Sequence, residues 1–201
     1  MWYVAGRILF RSYFRLLFRY RVEGLEHVPR TGGVLLVANH ASYHDPPLVG
    51  CALPRPVHFM AKAELFRIPV LRSVLPKVGA FPVQRGGFDR GAVRRAIELL
   101  KAGEAVCLFP EGTRSRDGRL LPFQRGAGLI AVQAGVPVVP IGLIGTFKPW
   151  AGRRILPRRM VVRIGAPLVL KEGEAAGREA SERMTAMMAE GVRRLLGESR
   201  S

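Results

Sequence analysis

The sequence predicts an α/β fold: a single domain with a mixed, largely parallel sheet of about six or seven strands, flanked by helices and preceded by an amphipathic N-terminal helix. Two observations lead there. Short aliphatic and β-branched runs, such as Val34-Leu35-Leu36-Val37-Ala38 and Ala105-Val106-Cys107-Leu108, alternate with segments of helical periodicity. A length of 201 residues, 48% of them hydrophobic, also suits one sizeable core rather than disorder. No internal repeat or low-complexity tract marks a second domain, so residues 1–22 read as the amphipathic helix and 23–201 as the domain proper. Strand order stays undetermined.

From Trp2 to Tyr20 the chain has no proline, and arginines recur at Arg7, Arg11, Arg15 and Arg19. At about 100° per residue they form one drifting cationic stripe beside a broad aromatic and aliphatic face. Two readings are open: a helix lying in an anionic membrane interface, or one packed on the core with its arginines in water. Val22 to Thr31 is a polar connector, and Val34–Ala38 begins the core. Pro46 to Leu53 reads as a short helix, because prolines suit a first turn, and Pro54-Arg55-Pro56 ends it. A strand at 57–60, short helices across 63–76 broken at Pro69, and a strand at 80–83 follow. Asp89 to Ala102 is the clearest surface helix, with Val93, Ile97 and Leu100 as its apolar face and Gly103 as its C-cap. A strand at 104–109 then enters a loop whose Asp117-Gly118 is a turn signal. Helix 125–134, strand 136–144, a basic loop at 148–159 and strand 160–164 come next. In the last helix, Glu174 to Leu196, the inward residues are Met184, Met187, Met188, Val192 and Leu195.

The formal net charge of +17 comes from 32 Lys and Arg against 15 Asp and Glu. Partners should therefore be anionic: phosphorylated small molecules, an acidic carrier protein, an anionic membrane or nucleic acid. Cys51 and Cys107 lie in apolar contexts at no metal or redox spacing and read as buried free thiols. Arginines interrupt every apolar run that a secretory signal would need near the N-terminus. Gly126 to Phe147 is uncharged and long enough to span a bilayer. Gly135, Pro137 and Pro140 break it, however, into a buried helix feeding a buried strand.

Residues able to do chemistry collect where strands end. Asn39-His40-Ala41-Ser42-Tyr43-His44-Asp45 joins the strand at 34–38 to the prolines of the next helix. Ligands of α/β sheets bind at such carboxyl ends, and His40 and Asp45 can meet across the turn. A carboxylate on one imidazole nitrogen fixes the tautomer, leaving the other nitrogen to take a proton from a substrate hydroxyl. The plainer alternative is an ordinary histidine with Asp45 as a helix N-cap. Metal binding by His40, His44 and Asp45 is disfavoured, since His27 and His58 add no ligand spacing. A second strand ends in Phe109-Pro110-Glu111-Gly112-Thr113-Arg114-Ser115. Its arginine can hold a phosphate bidentately, its glutamate can accept hydroxyl hydrogen bonds, and its glycine admits close backbone approach; mutual pairing of Glu111 and Arg114 is the plainer alternative. Arg85, followed by Gly86-Gly87, places another cation after the strand at 80–83.

Together these motifs resemble the glycerophospholipid acyltransferase family, above all the 1-acylglycerol-3-phosphate O-acyltransferases, across roughly Val22 to Leu170. Four blocks stand in the family's order: His40 and Asp45 as H-x-x-x-x-D, Gly79 to Arg85, Phe109 to Ser115, and Val136-Pro137-Val138-Val139-Pro140. Lys62 to Pro69 is also characteristic. Many members carry lysine after the aromatic at Phe123, whereas this chain has Gln124 and Arg125. The resemblance implies direct acyl transfer without metal or prosthetic group. His40, oriented by Asp45, would deprotonate the free hydroxyl of lysophosphatidate as it attacks a fatty-acyl thioester of coenzyme A or acyl carrier protein. By the same resemblance Arg85 and Arg114 would meet the acceptor phosphate and Glu111 its glycerol part, with Gly112, Thr113 and Arg125 also binding substrate. No oxyanion donor is named by the sequence. Neither Ser42 nor Ser115 stands in a Gly-x-Ser-x-Gly elbow, so a covalent serine is not expected. Ser42, Tyr43 and His44 are read as structural.

The implied setting is phospholipid synthesis at the cytoplasmic face of a membrane, as a peripheral or monotopic enzyme on an anionic surface. Another lysolipid acceptor is the alternative within the same chemistry. A different class, a non-catalytic basic protein binding anionic lipid or nucleic acid, explains the charge of +17 but not acidic residues at strand ends. No nucleic-acid-binding signature is present, and nucleic acid is not an expected partner.

Overall fold

A computed structural model describes residues 2–84, 87–151, 154–156, 158–168 and 177–197. Helix α1 (Trp2–Phe18) leads into strand β1 (Arg21–Glu23), β2 (Val34–Ala38), α2 (Asp45–Ala52) and β3 (Val57–Lys62). Then come α3 (Pro69–Val74), β4 (Ala80–Val83), α4 (Arg90–Lys101), β5 (Ala105–Leu108) and α5 (Gly126–Ala134). The rest is β6 (Val138–Ile144), β7 (Trp150–Ala151), β8 (Arg154–Ile155), β9 (Val161–Ile164) and α6 (Arg178–Leu196).

Seven strands form one sheet in the order β1-β9-β6-β2-β5-β3-β4. The five from β6 to β4 run parallel, while β9 is antiparallel to β6 and β1 follows β9 in parallel. Every residue of β2 and of β5 is buried, which is why these strands read as unbroken apolar runs rather than alternating ones. Register separates the two faces. Leu36, Cys107 and Val139 point to the layer of α1 and α2, whereas Leu35, Val37, Val106 and Leu108 point to α4, α5 and α6. The result is three layers with a core on each face of the sheet.

That topology sets the site. From β2 the chain leaves to α2 on one face, and from the adjacent β5 it leaves to α5 on the other. Connections departing in opposite directions from neighbouring parallel strands open a crevice at their carboxyl ends.

Several expectations need correction. The connector at 22–31 begins within β1, a three-residue edge strand with only its central residue partly buried, so a single Val22 carries its whole apolar signal. The basic loop holds the short ribbon of β7 and β8, joined in antiparallel register. Met187, expected inside, is exposed, while Met184, Met188 and Val192 do lie in the core. Glu174 to Ala176 of the last helix lie outside the described residues. In the first helix Phe14 and Phe18 are fully buried, as packing on the core requires, while Trp2, Ile8, Leu9 and Leu16 are exposed. Both cysteines are buried and free.

Candidate active site

Strand β2 ends at Ala38, and Asn39 carries its pairing one residue further. The side-chain amide donates to the Leu143 carbonyl at 3.0 Å and accepts the Leu143 N–H at 2.7 Å, repeating the ladder that joins β2 to β6. This anchors the point at which the backbone turns. His40 follows, almost wholly buried, with Nδ1 2.8 Å from Asp45 Oδ2. The same oxygen accepts the N–H groups of Ala41 and Ser42, each at 2.7 Å.

Asp45 is fully buried, and a bare carboxylate there would cost several kcal/mol of lost hydration. Three donors converging on Oδ2 offset that cost. The carboxylate thus folds back onto the turn; the N-cap position of α2 is His44, which makes no side-chain cap bond. With Nδ1–H given to Asp45, Nε2 of His40 keeps its lone pair. The ring also lies on Phe109, with centroids 4.3 Å apart and planes inclined by 26°.

The second loop is laced to the first through the backbone of His40. Its N–H donates to Glu111 Oε1, and its carbonyl accepts the Ser115 N–H at 2.8 Å. Glu111 Oε2 accepts the Leu121 N–H at 3.0 Å, so this buried carboxylate braces the turn and its own loop together. At Gly112 φ is +69°, and a Cβ there would run into the Gln124 amide. Only glycine keeps this corner unstrained. Thr113 is exposed at the rim.

Arg114 stacks its guanidinium 3.6 Å above the Tyr43 ring and donates to the Tyr43 hydroxyl at 2.9 Å. A cation is thereby held at the mouth of the crevice by a residue of the His40 turn. Ser115 Oγ donates to Asp117 Oδ1 at 2.9 Å, and Ser42 Oγ pairs with His44 Nδ1 at 3.1 Å, so both hydroxyls have structural partners. Arg125 heads α5 with an exposed side chain 3.5 Å from Glu182 on α6. Arg85 lies outside the described residues. Among the described residues no group of three or more His, Cys, Asp and Glu side chains is arranged to hold a metal.

The structure therefore brings His40, Asp45, Glu111, Gly112 and Arg114 to neighbouring strand ends. Sequence reasoning missed Asn39, Phe109 and Tyr43. Asn39 and Phe109 each stand one residue past the end of a strand, next to the motifs, and that position was the available signal.

Residues 19–144, more than half of the chain, match the family model described as Acyltransferase. The chain is 34% identical over 169 residues to a 1-acyl-sn-glycerol-3-phosphate acyltransferase of Bacillus subtilis, covering 83% of this chain and 81% of that one. It is 41% identical over 130 residues to the chloroplastic 1-acyl-sn-glycerol-3-phosphate acyltransferase BAT2 of Brassica napus, covering 63% of this chain but spanning only 38% of that relative's length. The crystal structure of the 1-acyl-sn-glycerophosphate (LPA) acyltransferase PlsC from Thermotoga maritima superposes with a TM-score of 0.78 at 30% identity, covering 99% of this chain and 81% of that one. The motif blocks, the sheet and these matches agree: the chain belongs to the acyltransferase family.

Proposed function

We propose that this chain moves a fatty acyl group from an acyl thioester to the free hydroxyl of 1-acylglycerol-3-phosphate, giving phosphatidate. The observation that carries the reading is the buried His40–Asp45 pair, whose carboxylate fixes the ring with Nε2 as the proton acceptor. In the forward step Nε2 takes the hydroxyl proton while the alkoxide oxygen bonds to the thioester carbon. The tetrahedral oxyanion then collapses, the C–S bond breaks, and the imidazolium returns its proton to the leaving thiolate. General-base assistance of this kind is worth about 10² to 10⁴ in rate.

Arg114, presented on Tyr43, is the cation for the acceptor phosphate, joined by Arg85 and, toward the anionic donor, Arg125. Gly112 and Thr113 form the edge of that pocket, and Glu111 fixes the backbone of both loops beside the acceptor's glycerol part. The relatives named above support lysophosphatidate as acceptor; either coenzyme A or acyl carrier protein suits the cationic surface as donor carrier.

Residues 1–22 serve as an interfacial element on the catalytic domain of 23–201. Exposed Trp2, Ile8, Leu9 and Leu16 beside Arg11, Arg15 and Arg19 suit an anionic leaflet, which in a cell is the cytoplasmic one. No described helix is long and apolar enough to cross a membrane, and the attachment we propose is peripheral or monotopic.

The test is a panel of lysolipid acceptors presented to the purified protein with acyl-coenzyme A. Thiol release with lysophosphatidate should exceed that with phosphate-capped or zwitterionic lysolipids by at least about tenfold in kcat/KM. Equal rates across the panel would sink the acceptor assignment.

A further inference from the structure

We infer that Tyr13 and His44 are positioning residues, forming a latch through which α1 holds the His40–Asp45 turn in its working geometry. The inference rests on the general-base reading of His40. His44 belongs to that turn, yet its ring leaves the crevice and enters an aromatic nest on α1. It stacks on Tyr13 with centroids 5.9 Å apart and planes 8° apart, and meets Phe14 and Phe18 edge-on at 5.9 and 6.0 Å.

Both imidazole nitrogens are engaged, Nε2 with the Tyr13 hydroxyl at 3.0 Å and Nδ1 with Ser42 Oγ at 3.1 Å. Ser42 Oγ accepts the His44 N–H at 3.2 Å, and the Ser42 N–H donates to Asp45 Oδ2. A continuous path of contacts thus runs from α1 to the carboxylate that orients His40. Burial lowers the pKa of His44, and a neutral ring offers one donor and one acceptor, which two hydroxyls satisfy in either tautomer. An aliphatic side chain would fill the same apolar nest without directing the turn. Phe14 and Phe18 are fully buried, so the helix that carries Tyr13 is itself fixed on the sheet.

Thiol release from acyl-coenzyme A, with lysophosphatidate in detergent micelles, tests the latch on the full chain. Tyr13→Phe keeps the ring and deletes the hydroxyl. It should lower kcat about five- to tenfold while KM for both substrates stays within about twofold. His44→Leu should lose at least as much, and the double variant should be no worse than the worse single, because one contact is being removed twice. Thermal melts establish that each variant is folded at the assay temperature, and if His44→Leu fails there, Tyr13→Phe decides alone. An unchanged kcat in Tyr13→Phe overturns the latch, as do losses that multiply in the double variant. His40→Ala assayed alongside separates the two readings: full activity in that variant removes the general base instead.

Discussion

The strand-end crevice and the outer face of α1 are built on opposite principles. In the crevice, one oxygen of Asp45 gathers three donors, Glu111 ties two loops by their backbone, and Asn39 fastens the turn to a strand 104 residues away. Positions there are set to within a hydrogen bond, as acid–base chemistry requires. On α1, Leu16 is 83% exposed and Leu9 68% exposed, with arginines along one side. On the interfacial reading proposed above, such a face needs area and charge rather than exact placement, because a lipid surface offers no fixed partner. The difference teaches where single substitutions should hurt: sharply and one at a time in the crevice, gradually and in sum on the helix.

Asp45→Asn is the most damaging change expected after loss of His40 itself. The amide can no longer fix the tautomer, and kcat should fall by about 10³ to 10⁴ with KM moving far less. Arg114→Ala should instead raise KM for lysophosphatidate about 10- to 100-fold, the worth of a charge-assisted hydrogen bond. Arg114→Lys should recover only part of this, since a point charge neither stacks on Tyr43 nor binds bidentately. These steady-state measurements would break the comparison if both variants behaved like wild type.

On the helix, reversing Arg11, Arg15 and Arg19 to glutamate together should weaken partitioning to anionic vesicles by about 10²-fold at low salt, with each single reversal contributing a small share. High salt should narrow the gap. Sedimentation with vesicles measures it; a single arginine carrying the whole effect would mean a specific lipid site instead of a surface.

The smallest effect concerns the core between the two regions. Burial pushes the Cys51 thiol up to about 11 and raises Cys107 as well. Below about pH 8.5 both folded and unfolded chains keep these protons, and above it only the unfolded chain ionises, so stability falls as pH rises toward 11. Denaturant melts between pH 8 and 10 should show that decline, and alkylation of either thiol at pH 8 should await unfolding.

His40 and Asp45 were legible in the sequence because they sit five residues apart on one turn, and a strand followed by prolines places them there without reference to the rest of the chain. The alternation of apolar runs with helices likewise declared the sheet. What stayed hidden depends on strand order. Asn39 meets Leu143 only because β6 lies beside β2, and Glu111 reaches the His40 amide only because β5 lies on the other side. No local pattern encodes either neighbour. For Glu111 the sequence suggests a partner for the acceptor's glycerol part; that its carboxylate also accepts backbone N–H groups from two loops becomes visible only in the fold. The sequence marks His44 only as structural, because its path into α1 depends on the packing of a helix some thirty residues earlier.

The central claim is that His40, oriented by Asp45, is the base for acyl transfer. Its most direct test is thiol release from acyl-coenzyme A by His40→Ala beside wild type, both shown folded by circular dichroism. The account predicts a loss of at least about 10³ in kcat/KM. A variant within a few-fold of wild type would contradict it.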